Sequence, residues 1–81
     1  VRLLKFETKG CGPCKMVQAY LEDKGVEVEQ VDVLEDTDIT EKYNVSSVPT
    51  LILVNDKGEE LERSVGFNPE EMESFVNRMR G

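Results

Sequence analysis

Cys11, Gly12, Pro13 and Cys14 stand where one kind of sequence pattern gives way to another. Ahead of them Val1 to Phe6 is apolar and β-compatible and runs into Glu7-Thr8-Lys9-Gly10, which predicts a short buried strand followed by a loop. Behind them Cys14, Val17 and Leu21 recur at helical spacing, with Met16 and Tyr20 on a neighbouring stripe and Gly25 as a stop. That pattern predicts an amphipathic helix over Cys11 to Lys24. Pro13 falls in its first turn, where the missing N–H is no loss because that donor has no partner within the helix. Two cysteines are thus placed at a strand-to-helix junction, and the rest of the chain must fold around it.

Val26 to Val33 alternates apolar and polar residues with one phase slip at Glu29-Gln30, which predicts a strand with an irregularity. Asp36-Thr37-Asp38 can cap a short helix in which Ile39 and Tyr43 share a face and which Asn44 ends. Leu51 to Val54 is a continuous apolar strand. The turn Asn55-Asp56-Lys57-Gly58 leads from it into the charged, alternating Glu59 to Val65, an expected edge strand of a hairpin. The last segment has Asn68 as N-cap, Pro69 at the first helical position and Glu71 at the third, followed by Met72, Phe75, Val76 and Met79 on one face. The order is β-α-β-α-β-β-α. A helix between two strands implies a parallel pair joined by a right-handed crossover, and the hairpin adds antiparallel strands. An α/β fold follows, with a four-stranded mixed sheet flanked by three helices.

The bulk numbers exclude several functions. With 81 residues the chain is expected to be a single domain over 1–81, near the size below which one hydrophobic core no longer holds a fold. The longest apolar stretch, Val48 to Val54, is broken by Pro49 and Thr50 and is far from the roughly 18 to 20 residues that span a bilayer. The opening residues are too few and too charged for a signal peptide, so a cytoplasmic setting is expected. A net charge of −7 argues against nucleic-acid binding, which rests on clustered Lys and Arg. The acidic residues are expected to serve solubility, and the protein to be a monomer.

The cysteines make sense as chemistry. A bridge closing a four-residue loop stabilises a fold by only about 2 kcal/mol in the chain-entropy account, less if strained. With no His and no other Cys, the pair also lacks the ligands of a structural zinc site, so no metal is expected. At a helix start, unpaired N–H groups and the helix dipole stabilise an anion, which lowers the pKa of Cys11 and makes it the attacking sulfur. Cys14 lies one turn along, faces inward and is within bridging reach, which makes it the resolving thiol. Gly12 and Pro13 leave little bulk over the sulfurs while fixing the turn. The redox-active disulfide Cys11–Cys14 would serve in place of any cofactor.

Cys11-Gly12-Pro13-Cys14-Lys15 after a first strand, Tyr43 to Leu51 with Val48-Pro49-Thr50 leading into the third strand, and Gly66 before the last helix resemble the thioredoxin family in residue type and order. The match covers almost the whole chain, without the extra N-terminal strand and helix of a full-length thioredoxin, so the size is that of a glutaredoxin. The resemblance implies a protein-disulfide reductase that acts on disulfide-containing proteins and is recharged by a thioredoxin-reductase-type flavoprotein. It also implies a cis bond between Val48 and Pro49 facing the cysteines, with the Val48 backbone and Gly66 open to an extended substrate strand.

Three departures from the family pattern bear on function. Gly10 stands where thioredoxins usually carry Trp, which removes one wall of the substrate surface. Lys5 stands where they bury an acid, six residues before the first cysteine. It either favours the thiolate as a pKa modulator or snorkels to the surface without effect. Gly66-Phe67-Asn68-Pro69-Glu70 replaces the glutathione-holding stretch of glutaredoxins, although Thr8-Lys9-Gly10-Cys11 has a glutaredoxin flavour. The alternatives are a glutaredoxin-like electron donor, for example to ribonucleotide reductase, and a binding module in which the cysteines are incidental.

Overall fold

The computed structural model describes residues 1–80, so Gly81, the end of the expected domain, lies outside the described residues. The elements run β1 (Arg2–Glu7), α1 (Gly12–Asp23), β2 (Glu29–Asp32), α2 (Thr37–Lys42), β3 (Thr50–Val54), β4 (Glu60–Val65) and α3 (Pro69–Arg80). They form a four-stranded sheet in the order β2-β1-β3-β4. β1 and β2 are parallel, as a crossover through α1 requires, whereas β1–β3 and β3–β4 are antiparallel.

Every residue of β3 is buried, which explains its uninterrupted apolar run: a strand covered on both faces has no solvent side to mark with polar residues. Its side chains alternate between two cores. Leu51 and Leu53 join Leu3, Val17, Leu21, Met72, Phe75 and Val76 beneath α1 and α3. Ile52 and Val54 join Leu4, Phe6, Val31 and Tyr43 on the face that α2 covers.

The phase slip at Glu29-Gln30 has a structural meaning. Val26 and Val28 pack on the α1/α3 core, whereas Val31 and Val33 belong to the α2 core. The approach to β2 therefore serves one face and the strand the other, and only Glu29–Asp32 pairs as strand, shorter than the expected Val26 to Val33.

The helix ends follow the sequence with two exceptions, the first being that Asp36 stands at the N-cap of α2 without a side-chain cap hydrogen bond, its carboxylate instead accepting from the Asp32 N–H at 3.2 Å. Gly25 and Asn44 take positive φ values of 69° and 53° just past α1 and α2. Asn68 Oδ1 accepts a hydrogen bond from the Glu71 N–H at 3.3 Å, which is the expected cap of α3. The reciprocal half of a capping box does not form, because the Glu71 carboxylate accepts a hydrogen bond from Ser64 Oγ on β4 at 2.7 Å instead. On the other face the Tyr43 hydroxyl donates to the carbonyl of Gly58 and fastens the end of α2 to the β3–β4 turn.

Candidate active site

The register of the sheet brings the candidate residues to one end of it. Phe6 on β1 pairs with Thr50 on β3, and Thr50 pairs with Val65 on β4. The end of β1, the start of β3 and the end of β4 are therefore side by side. From these three points run the loop to Cys11, the segment Val48-Pro49 and Gly66.

Cys11 is the N-cap of α1, with extended backbone, and Gly12 and Pro13 open the helix exposed to solvent. The Cys14 amide donates a hydrogen bond to Cys11 Sγ at 3.1 Å. That donor is one of the helix N–H groups without an intrahelical partner, and it is aimed at the sulfur that would carry a thiolate's charge. No acidic side chain occupies the first turn of α1 to oppose that charge. Cys14 is 4% exposed and packs inward, while Cys11 is half-buried. The two are joined as a disulfide, with Cα atoms 5.2 Å apart. Cys11 is thus the more accessible of the two cysteines, and Cys14 lies behind it within bridging distance.

Lys5 does not snorkel. It is 2% exposed, on the face of β1 that Leu3 begins, and its Nζ lies within the fold. An ammonium in such a place needs partners. Lys5 Nζ donates to Gln18 Oε1 at 3.0 Å and forms an ion pair with the Glu7 carboxylate. Gln18 Oε1 also accepts from Gln30 Nε2 at 3.2 Å, so β1, α1 and β2 meet in one polar network. Lys5, Glu7, Gln18 and Gln30 line a shallow trough of about 370 Å³ together with Cys11 and Cys14.

The residues before β3 and after β4 form a second group. The Val48–Pro49 peptide bond is cis, as the resemblance implies. Gly66, at φ 81°, donates its N–H to the Pro49 carbonyl at 2.8 Å. Among the described residues the Val48 N–H and carbonyl have no hydrogen-bond partner, which leaves them open to an added strand. Phe67, next to Gly66, stacks edge-on against Tyr20 of α1 with ring centroids 6.4 Å apart and so ties this group to the cysteine helix.

Glu7 and Gln18 join the site although neither was singled out from the sequence. The signal was present in the periodicities: Glu7 shares a strand face with Lys5 two residues away, and Gln18 lies one helical turn beyond Cys14. Met16, placed on a stripe beside the buried one, is instead 52% exposed on the helix that carries the cysteines. Among the described residues no helix is long and apolar enough to cross a membrane.

Comparison with known proteins agrees with this geometry. The family model described as Thioredoxin matches residues 1–78. The chain is 42% identical over 80 residues to the SPbeta prophage-derived thioredoxin-like protein YosR of Bacillus subtilis, which covers 99% of this chain and all of that one. It is 40% identical over 85 residues to the thioredoxin of the same organism, across 96% of this chain and 81% of that protein. Among solved structures, Malassezia sympodialis thioredoxin superposes with a TM-score of 0.83 at 24% identity, over 98% of this chain and 74% of that one, and so shares the fold. With its α/β architecture, its redox-active Cys11–Cys14 disulfide and a family match that runs over residues 1–78, this chain belongs to the thioredoxin family.

Proposed function

We propose that the chain is a protein-disulfide reductase in which Cys11 attacks and Cys14 resolves. The observation that carries this reading is the pairing of a half-exposed, amide-bonded Cys11 sulfur with a buried Cys14 at bridging distance. In the reduced protein the Cys11 thiolate attacks one sulfur of a target disulfide, and the displaced target thiolate takes up a proton. Cys14 then gives up its proton and attacks Cys11 Sγ in the mixed disulfide. The second target thiolate leaves and takes up the proton that Cys14 gave up, and the protein is left with the Cys11–Cys14 bridge. Two electrons and two protons have passed to the target, and a thioredoxin-reductase-type flavoprotein restores them.

In this reading the open backbone of Val48 pairs with the target chain. The cis Pro49 and Gly66, held together by their hydrogen bond, shape the surface on which that chain lies. Gly12 and Pro13 keep the approach to Cys11 clear. The Lys5 ammonium, in the same trough as both cysteines, favours their anionic form. Removing it as Lys5→Met raises the pH at which Cys11 titrates, and an unchanged titration curve assigns Lys5 a packing role only. Residues 1–81 act as one monomeric domain in the reducing cytoplasm, where the dithiol form is regenerated.

Turnover of insulin disulfides tests the whole reading. Reduction driven by NADPH and thioredoxin reductase is expected, and Cys11→Ser abolishes it. Cys14→Ser instead leaves a trapped mixed disulfide visible by mass. Activity with glutathione alone would place the protein with the glutaredoxin-like donors. Absence of turnover with thioredoxin reductase, with glutathione and with dithiothreitol alike would leave the binding-module reading.

A further inference from the structure

The trough beside the cysteines differs in charge from the molecule as a whole. The chain carries 17 acidic and 10 basic residues, yet three of the ten residues lining the trough are lysines and one is a carboxylate. That carboxylate, Glu7, is already neutralised by its ion pair with Lys5. Lys9 and Lys15 remain, one two residues before Cys11 and the other immediately after Cys14. Both are exposed, and among the described residues neither takes part in an ion pair or donates a side-chain hydrogen bond. The cysteine pair is thus bracketed by two uncompensated cations on a protein of net charge −7.

We infer that this trough selects target disulfides whose cysteines are flanked by carboxylates, Lys9 and Lys15 meeting acidic side chains of the target chain. The inference rests on the reductase reading and specifies its substrate class. Two considerations favour a local over a global electrostatic effect. Screening at physiological salt confines interactions between exposed charges to roughly 8 Å, so acids elsewhere on the domain weigh little on a group seated against the trough. Charges at the rim of an interface act mainly on encounter rate and on the exclusion of wrong partners, which is the effect a reductase with many targets can use. The loss of an aromatic wall at Gly10, where a Cβ would meet no atom within 4 Å, leaves this side of the site open for such an approach.

The test uses three synthetic peptide disulfides identical except at the residues beside cysteine, which are Asp, Ser or Lys. Rates of reduction by the full chain are measured under single-turnover conditions, and the readout is the ratio of the Asp to the Lys peptide within each protein. The native chain is expected to favour the Asp peptide by about fivefold at low salt, converging towards equality at high salt as screening sets in. The double variant Lys9→Glu with Lys15→Glu reverses the order. Because each ratio is taken within one protein, a general loss of activity in the variant cancels. Equal rates for the Asp and Lys peptides, or a preference that the variant leaves in place, overturns the proposal. Failure to reduce even the Ser peptide instead overturns the reductase reading on which it rests.

Discussion

The two faces of β1 are built on different rules. Towards α2 it presents Leu4 and Phe6, both buried among apolar neighbours, with Phe6 edge-on to Tyr43 at 6.1 Å between ring centroids. Towards α1 it presents Leu3, then Lys5, then Glu7, so that an apolar row turns ionic as it nears the cysteines. One strand therefore holds the sheet together on one side and gives polar character to the candidate site on the other. Side chains in a strand alternate faces, so the two tasks can be separated residue by residue without changing the backbone.

The largest effect is expected on the structural face. Phe6→Ala removes a wholly buried ring and should cost about 3–5 kcal/mol of stability. Urea denaturation would show it, and a loss below 1 kcal/mol would mean that the α2 core can collapse around the gap. A domain of this size has little stability to spare.

An intermediate effect is expected on the ionic face, and there the two partners should differ. Glu7→Gln leaves a buried ammonium with uncharged partners and should cost about 1–3 kcal/mol. Lys5→Met places an apolar chain in an apolar row and leaves a carboxylate that water can reach, so its cost should stay within about 1 kcal/mol. Equal losses from the two substitutions would mean that the ion pair itself, more than the burial of the ammonium, decides the stability of this face.

The smallest effect belongs to the edge strand. Hydrogen bonding from Arg63, at 2.6 and 2.8 Å, holds the Glu60 carboxyl below its ordinary range despite some opposing burial. Its folded pKa is depressed, so the contribution is present above the unfolded value near 4.5 and is lost as pH falls through the folded one. The pair is solvent-accessible, which limits the contribution to about 0.5 kcal/mol. Comparing the pH dependence of stability for the native chain and Glu60→Gln between pH 3 and 7 isolates it, and superimposable curves would assign the pair no role.

Much of this architecture was legible because its signals are local. A proline one residue inside α3, an asparagine before it, and glycines at positive φ past β1, α1 and the hairpin turn each mark their own position. The cysteines were legible for the same reason, since three residues and a helix start are enough to define their geometry. What eluded local reading depended on distant partners. Glu71 stands at the position of a capping box, but Ser64 from β4 claims its carboxylate. Lys5 had two open readings because its partners are mixed: Glu7 stands two residues away on the same strand, but the cover that keeps the ammonium inside includes Gln18 from α1, itself held by Gln30 from β2. The Glu29-Gln30 slip was visible as an irregularity, yet its meaning, a change from one core to the other, needs both cores in view.

The hairpin turn offers a practical consequence. It lies where Arg2 pairs with Val54, the opposite end of the sheet from the pairing of Phe6 with Thr50. About four residues of strand, roughly 13 Å, separate those two pairings. A dye, an electrode linker or a fused carrier attached at the exposed Asp56 would hang the domain with its sulfurs pointing away from the support. Its thiol chemistry could then be read out without the attachment crowding incoming proteins.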